Sequence, residues 1–113
     1  MIKIYHNNRC SKSRCGVELL ENSGKEFEIV KYLDTPPTLE ELKHIIDLLG
    51  IAPIQLVRKN EAIWKENYKG KQLRDAEIIS AMASHPKLIE RPIVINGSKA
   101  VIGRPTETIL DII

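Results

Sequence analysis

The stretch Tyr5-His6-Asn7-Asn8-Arg9-Cys10-Ser11-Lys12-Ser13-Arg14 holds the residues best suited to chemistry, because it sets a cysteine where a strand pattern gives way to a helical one. A thiol at such a junction lies near unpaired backbone N–H groups and the positive end of a helix dipole, and both favour thiolate over thiol. A free cysteine is ordinarily a small buried hydrophobe. Here Asn7, Asn8, Arg9, Ser11, Lys12, Ser13 and Arg14 make a poor wall for apolar burial and a good rim for an anion. His6, just upstream, would lower the thiol pKa further if protonated, or serve only as a turn histidine.

Cys15 follows one helical turn later. A disulfide needs Cα atoms within roughly 7 Å, whereas five residues of helix rise about 7.5 Å, so a Cys10–Cys15 bridge would unwind the first turn. Ser13 occupies the second position of a C-x-x-C pair, which removes the local dithiol mechanism. An oxidised Cys10 would then draw its electrons from an external thiol. Cys15 is read as a helix residue facing inward, with a resolving role as the alternative. Gly16 stands where the phosphate loop of cysteine phosphatases, C-x-x-x-x-x-R, requires arginine, so that chemistry is excluded. No tight C-x-x-C or H-x-x-x-H pair points to a metal among Cys10, Cys15, His6, His44 and His85. Arg58, Arg91 and Arg104 stand at the edges of elements, and an oxyanion of about two negative charges needs several guanidinium groups for bidentate hydrogen bonding. The sequence alone does not show that the three converge.

The elements that must position these residues follow from periodicity. Ile2–Tyr5 reads as a strand, and a helix begins at about Ser13, with Val17, Leu20 and the stem of Glu21 on one face and Asn22-Ser23-Gly24 as its stop. Phe27–Tyr32 reads as a second strand, so the β-α-β start implies two parallel strands and a right-handed crossover. Thr38-Leu39-Glu40-Glu41 is a capping box for a helix carrying Leu39, Leu42, Ile45, Ile46 and Leu49 to Gly50. Pro53–Asn60 is expected as a short helix bearing Arg58, while residues 62–71 show no firm period. Asp75 is expected to cap a helix through Ser84 with Ile78, Ile79, Met82 and Ala83 inward. Ile93–Ile95, the turn dipeptide Asn96-Gly97 and Ala100–Ile102 form an antiparallel pair. Pro105 suits the first turn of a last helix, whose apolar face is Ile109, Leu110, Ile112 and Ile113.

The order is thus β-α-β, a helical block, then β-β-α. At 113 residues it is expected as one α/β domain, with a helical insertion at about 38–90. Apolar residues make up 42% and no run approaches the roughly 20 residues of a membrane span, so no membrane partner is expected. Met1 leads straight into a strand without a secretory leader, and a cytoplasmic protein is expected. The net charge of +2 is spread along the chain, and one Trp, one Phe and three Tyr offer no stacking platform for bases. Small anions fit this composition better than nucleic acid.

Taken together, Ile4-Tyr5-His6-Asn7 leading to Cys10, Ser13-Arg14, Tyr32-Leu33 before Pro36-Pro37, Leu56-Val57-Arg58-Lys59-Asn60, His85-Pro86, Arg91-Pro92-Ile93-Val94 and Arg104-Pro105 before Leu110-Asp111-Ile112 resemble the glutaredoxin-dependent arsenate reductase family. The resemblance covers nearly the whole chain. It implies a thioredoxin-like fold with a mixed four-stranded sheet and a helical insertion. It also implies that Cys10 is the nucleophile, that His6 helps activate it, and that Arg58, Arg91 and Arg104 hold arsenate or a similar small oxyanion. Ser13, Arg14 and Pro92 are accessory candidates, as is Cys15, which has no assigned family role, and Pro92 matches a cis-proline facing the sulfur. Glutathione is implied as co-substrate and glutaredoxin as partner, with no bound cofactor. Two alternatives remain: a redox-responsive transcription regulator of the same superfamily that binds RNA polymerase, and a general glutathione-dependent thiol oxidoreductase. The regulators use a C-x-x-C switch and lack an arginine matching Arg104, so Ser13 and Arg104 favour the reductase.

Overall fold

Four short strands and four α-helices, β1 to β4 and α1 to α4 in chain order, make up the structure, a computed structural model that describes residues 1–113. The chain divides into two compact units, residues 1–35 with 91–113, and residues 36–90.

The first unit is built on the sheet. Its elements are β1 (Ile2–Tyr5), α1 (Ser11–Asn22), β2 (Phe27–Val30), β3 (Ile93–Asn96), β4 (Lys99–Ile102) and a 3-10 helix at Thr106–Asp111. The sheet order is β2-β1-β3-β4, with β1 parallel to β2 and both other pairings antiparallel. The mixed four-stranded sheet expected from the sequence is therefore present. In its register Ile4 stands opposite Ile29 on one side and Val94 on the other. Ile2, Ile4, Leu20, Val94 and Ile109 form the buried core, with Val17, Leu19, Phe27, Val101, Ile112 and Ile113 packed against it.

Helix α1 lies close on this core at Gly16. A Cβ there would stand 3.1 Å from Ile4 Cδ1, 3.2 Å from Pro92 Cγ and 3.3 Å from Ile109 Cδ1. The inward face is accordingly Ser13, Gly16 and Leu20, with Val17 at its margin, and Glu21 is exposed. Cys15 is exposed too, against the expectation of an inward side chain. The face turns on small residues that hydropathy does not mark. Strand β2 stops at Val30, and Tyr32 beyond it is buried outside the strand. Asn96 is the last residue of β3, paired with Lys99, so the hairpin loop is Gly97-Ser98 and not Asn96-Gly97. Gly97, at φ +63°, supplies the left-handed conformation that a two-residue hairpin requires. The last segment winds as a 3-10 helix, with Thr108 N–H bonded to Pro105 O, and Leu110 is exposed while Ile109 is buried. Thr106, Thr108 and Ile109 are β-branched and weaken the α alternative over so short a run.

The second unit is helical: α2 (Leu39–Leu49), α3 (Ala62–Asn67) and α4 (Asp75–Ser84), with 3-10 turns at Pro53–Leu56 and Pro86–Leu88. The capping box forms, Thr38 Oγ1 accepting from Glu41 N–H at 3.1 Å, and Gly50 closes α2 at φ +66°. Pro53–Leu56 is a single 3-10 turn. Val57 then bridges to Ile89, and Arg58 lies outside any helix because its N–H is taken by Leu88 O at 2.7 Å. Residues 62–67 are helical without a strong period because one side chain, Trp64, supplies the burial and stacks on Tyr68. Arg74 holds the N-cap position of α4, where its N–H meets Glu77 Oε1 at 3.1 Å. Asp75 is already helical and faces the dipole instead of capping. Ala81 and not Ala83 is buried beside Ile78, Ile79 and Met82.

Candidate active site

Cys10 occupies the N-cap position of α1, its backbone extended and its carbonyl already accepting Arg14 N–H at 3.0 Å. The tight turn before it closes through Cys10 N–H to Asn7 O at 3.0 Å, and Asn7 Oδ1 accepts Arg9 N–H at 3.0 Å as an Asx turn. Arg14, from the first helical turn, reaches back to Asn8 O at 2.9 Å and ties the loop to the helix. The polar residues around the cysteine therefore brace one another, and Cys10 is 8% exposed at the end of that brace.

Burial pushes the Cys10 thiol up. The main-chain N–H of Ser13, the guanidinium of Arg91 and the main-chain N–H of Lys12 outweigh that and hold its pKa below the ordinary thiol value. Arg104 adds a contact, Nη2 standing 3.6 Å from Sγ, while its Nε donates to Arg91 O at 2.8 Å. That second bond fixes the guanidinium plane. The Arg91-Pro92 bond is cis, as the resemblance implies, and Arg104-Pro105 is cis as well. Pro92 O accepts Gly103 N–H at 2.8 Å, which places the residue before Arg104 beside the one after Arg91.

Of the two readings of His6, a cation beside the sulfur and a turn histidine, its contacts match the second. Its Nδ1 lies 2.6 Å from Ser13 Oγ, and the same oxygen accepts Asn7 N–H at 3.0 Å. Ser13 is a fully buried polar side chain. Its hydroxyl hydrogen needs an acceptor, which Nδ1 supplies, leaving the imidazole proton on Nε2. Burial, then the charges of Lys31 and Arg14, lower the His6 pKa against the opposing effect of Ser13 and so favour the neutral ring. Its influence on Cys10 runs through Ser13, whose N–H faces the sulfur and whose hydroxyl anchors the loop.

Cys10, His6, Ser13, Arg14, Arg91, Pro92 and Arg104 thus all belong to the first unit. Arg58 belongs to the second, where its guanidinium pairs with Glu61 Oε1 and lies 3.8 Å from Glu90 Oε1. Cys15 lines a shallow surface groove with Glu18, Leu19, Asn22, Ser23 and Leu110. The unpaired N–H groups expected near the thiol are those of Lys12 and Ser13, whereas sequence reasoning passed over Asn7 as an anchor. The signal for Asn7 was present, since an Asn two residues before a turn's end is a common Asx-turn former. No three His, Cys, Asp or Glu side chains converge on a point that could hold a metal ion.

A β-α-β and a β-β-helix half sharing one mixed sheet, with a cysteine at the start of the first helix and a cis-proline before β3, define a thioredoxin-like protein. The chain belongs to the ArsC family, whose sequence model matches residues 5–112. It is 48% identical over 110 residues to an arsenate reductase of Neisseria meningitidis, covering 96% of this chain and 94% of that one. With an arsenate reductase of Escherichia coli it shares 41% identity over 113 residues, 99% of this chain and 80% of the other. The solved structure of an arsenate reductase from Vibrio cholerae superimposes with a TM-score of 0.94 at 46% identity, covering 99% and 97% of the two chains.

Proposed function

We propose that this protein reduces arsenate to arsenite through Cys10, with glutathione as electron donor and glutaredoxin as the agent that restores the thiol. The observation that carries this reading is the Cys10 sulfur held low in pKa by main-chain N–H groups and Arg91, with Arg104 Nη2 at 3.6 Å. A thiolate with guanidinium groups beside it attracts an oxyanion and neutralises the charge that would otherwise repel the approaching sulfur. Arg91 and Arg104 are assigned to bind the arsenate oxygens, and the N-terminal N–H groups of α1 to stabilise the covalent adduct.

In balanced form, Cys10–SH and AsO(OH)3 give Cys10–S–AsO(OH)2 and water. A glutathione thiol then attacks the Cys10 sulfur, and the S–As bonding pair stays on arsenic. Its proton joins the leaving group, which departs as As(OH)3 with arsenic reduced by two electrons. The two sulfurs are oxidised to a Cys10–glutathione disulfide. A glutaredoxin thiolate attacks the glutathione sulfur and releases Cys10. This cycle needs no second cysteine in the chain, and its setting is a compartment with a reduced glutathione pool, which the cytoplasm provides.

Purified protein assayed with arsenate, glutathione and glutaredoxin should turn over, and Cys10→Ser should abolish turnover. No arsenate-dependent oxidation of glutathione, or equal loss from Cys10→Ser and Cys15→Ser, would overturn the reading.

A further inference from the structure

Strands β1 and β2 run parallel and end together at Tyr5 and Val30, joined past their ends by His6 N–H to Val30 O at 2.9 Å. Open α/β sheets bind ligands in the crevice outside the carboxyl ends of such strands. Here a cleft of about 360 Å³ lies between the loop after β1 and the loop after β2, lined by His6, Asn7, Asn8, Arg9, Lys31, Leu33 and Asp34. That volume falls within the range of about 300 to 1,000 Å³ typical of small-molecule sites. The loop after β2 is a tight one, Asp34 and Thr35 both donating main-chain N–H to Lys31 O. It presents Lys31, Leu33 and Asp34 to a single opening.

The charges of the cleft are two cations, Arg9 and Lys31, and one carboxylate, Asp34. All three are exposed, and the ion pairs of the chain involve other residues. Their natural complement is a ligand with two carboxylates and one ammonium. We propose that this cleft seats the thiol co-substrate of the reaction above, a zwitterionic tripeptide of the glutathione type, with its carboxylates on Arg9 and Lys31 and its ammonium on Asp34. The inference rests on the proposed function for the identity of the thiol, while the cleft and its charges stand independently of it.

The cleft adjoins the loop that carries the nucleophile: Asn7, Asn8 and Arg9 line it, and the turn from Asn7 to Cys10 keeps those two Cα atoms within about 7 Å. The ligand's thiol sits on its middle residue, between the two anchored ends, on the side of this loop. Leu33, half-buried at the rim, offers apolar surface to the ligand's methylene groups.

The test uses S-methylglutathione, which cannot react, and its dimethyl ester, which lacks both carboxylates, titrated into the folded protein by NMR. S-methylglutathione should move the amide signals of residues 6–9 and 31–34. The ester should bind more weakly by roughly fivefold for each ion pair lost. Lys31→Gln and, separately, Arg9→Gln should weaken the acid by a similar factor and leave the ester nearly unaffected. Equal affinity for acid and ester, or shifts centred elsewhere, would overturn the assignment. Because no arsenate is present, a protein that binds S-methylglutathione in this way yet fails to reduce arsenate would refute the proposed function and leave the cleft assignment standing.

Discussion

Ser13→Ala separates two contributions that one residue makes. The side-chain oxygen accepts Asn7 N–H at 3.0 Å and shares a proton with His6 Nδ1 at 2.6 Å, while the main-chain N–H of the same residue stabilises the Cys10 thiolate. Alanine deletes the first and spares the second. Removing the oxygen strands two polar groups, each costing about 1 to 3 kcal/mol when buried. His6 and Asn7 are half-buried, so the lower half of that range applies and the two together cost about 2 to 4 kcal/mol. Alanine's better helix propensity returns about 0.5 kcal/mol. The net loss should be about 1.5 to 3.5 kcal/mol, read as a lower urea midpoint at unchanged slope. Alkylation of Cys10 followed against pH should still show a lowered thiol pKa. A loss below about 0.5 kcal/mol, within the ordinary range of surface substitutions, would show that the hydroxyl anchors nothing. A return of the thiol to its ordinary pKa would show that the main-chain donor is not what holds the thiolate.

Other outcomes follow from the same geometry. Arg104→Lys keeps the charge but loses the fork that spans Arg91 O and Cys10 Sγ, so kcat/KM for arsenate should fall by about 10- to 100-fold, the worth of one charge-assisted hydrogen bond. Gly16→Ala would ordinarily gain about 0.5 to 1 kcal/mol in a helix. Here the new methyl meets three side-chain atoms at 3.1 to 3.3 Å, and overpacking at about 1 to 3 kcal/mol should reverse the sign, as thermal unfolding will show. Cys10 and His6 both have folded pKa values below their unfolded ones, so the folded state binds fewer protons at each. Their contributions are complete above the unfolded pKa and lost as pH falls through the folded one. Unfolding free energy should therefore decline as pH drops below that of a free thiol, with a further decline below about 6.5 for His6. Cys10→Ser should erase the upper part of that slope.

How much of this was legible in the sequence depended on what kind of force placed each residue. The capping box of α2, the order of strands and the cysteine at a strand-to-helix junction were readable because each is set by neighbours a few residues away. The orientation of Cys15 was not. Spacing from Val17 and Leu20 put the apolar face one way, yet α1 meets the core through Ser13 and Gly16. These two residues are small enough to let the helix axis approach Ile4, Pro92 and Ile109. Close approach is a property of both surfaces, and only one of them lies within the helix. Arg91 and Arg104 reach Cys10 from the far end of the chain, a meeting that follows from β3 pairing with both β1 and β4.

His6 carries the same lesson at the level of charge. Read along the chain, a histidine just before a cysteine is a candidate cation for the thiolate. In the fold, Lys31 arrives from the end of β2 and Arg14 from α1, and with burial they favour the neutral imidazole. A neutral ring can accept the Ser13 proton, and that bond holds the loop at the length that sets Cys10 on the helix N-terminus. The positive charge acting on the sulfur then comes from arginine, which stays charged at any pH the protein meets, and not from a histidine that would lose its charge near neutrality. A thiolate arranged this way keeps its anion-attracting surroundings across the physiological range. The expected activity profile rises with Cys10 ionisation and shows no second limb from His6. A loss of activity on raising the pH through 6.5 would identify a protonated His6 as a working acid and refute this division of labour.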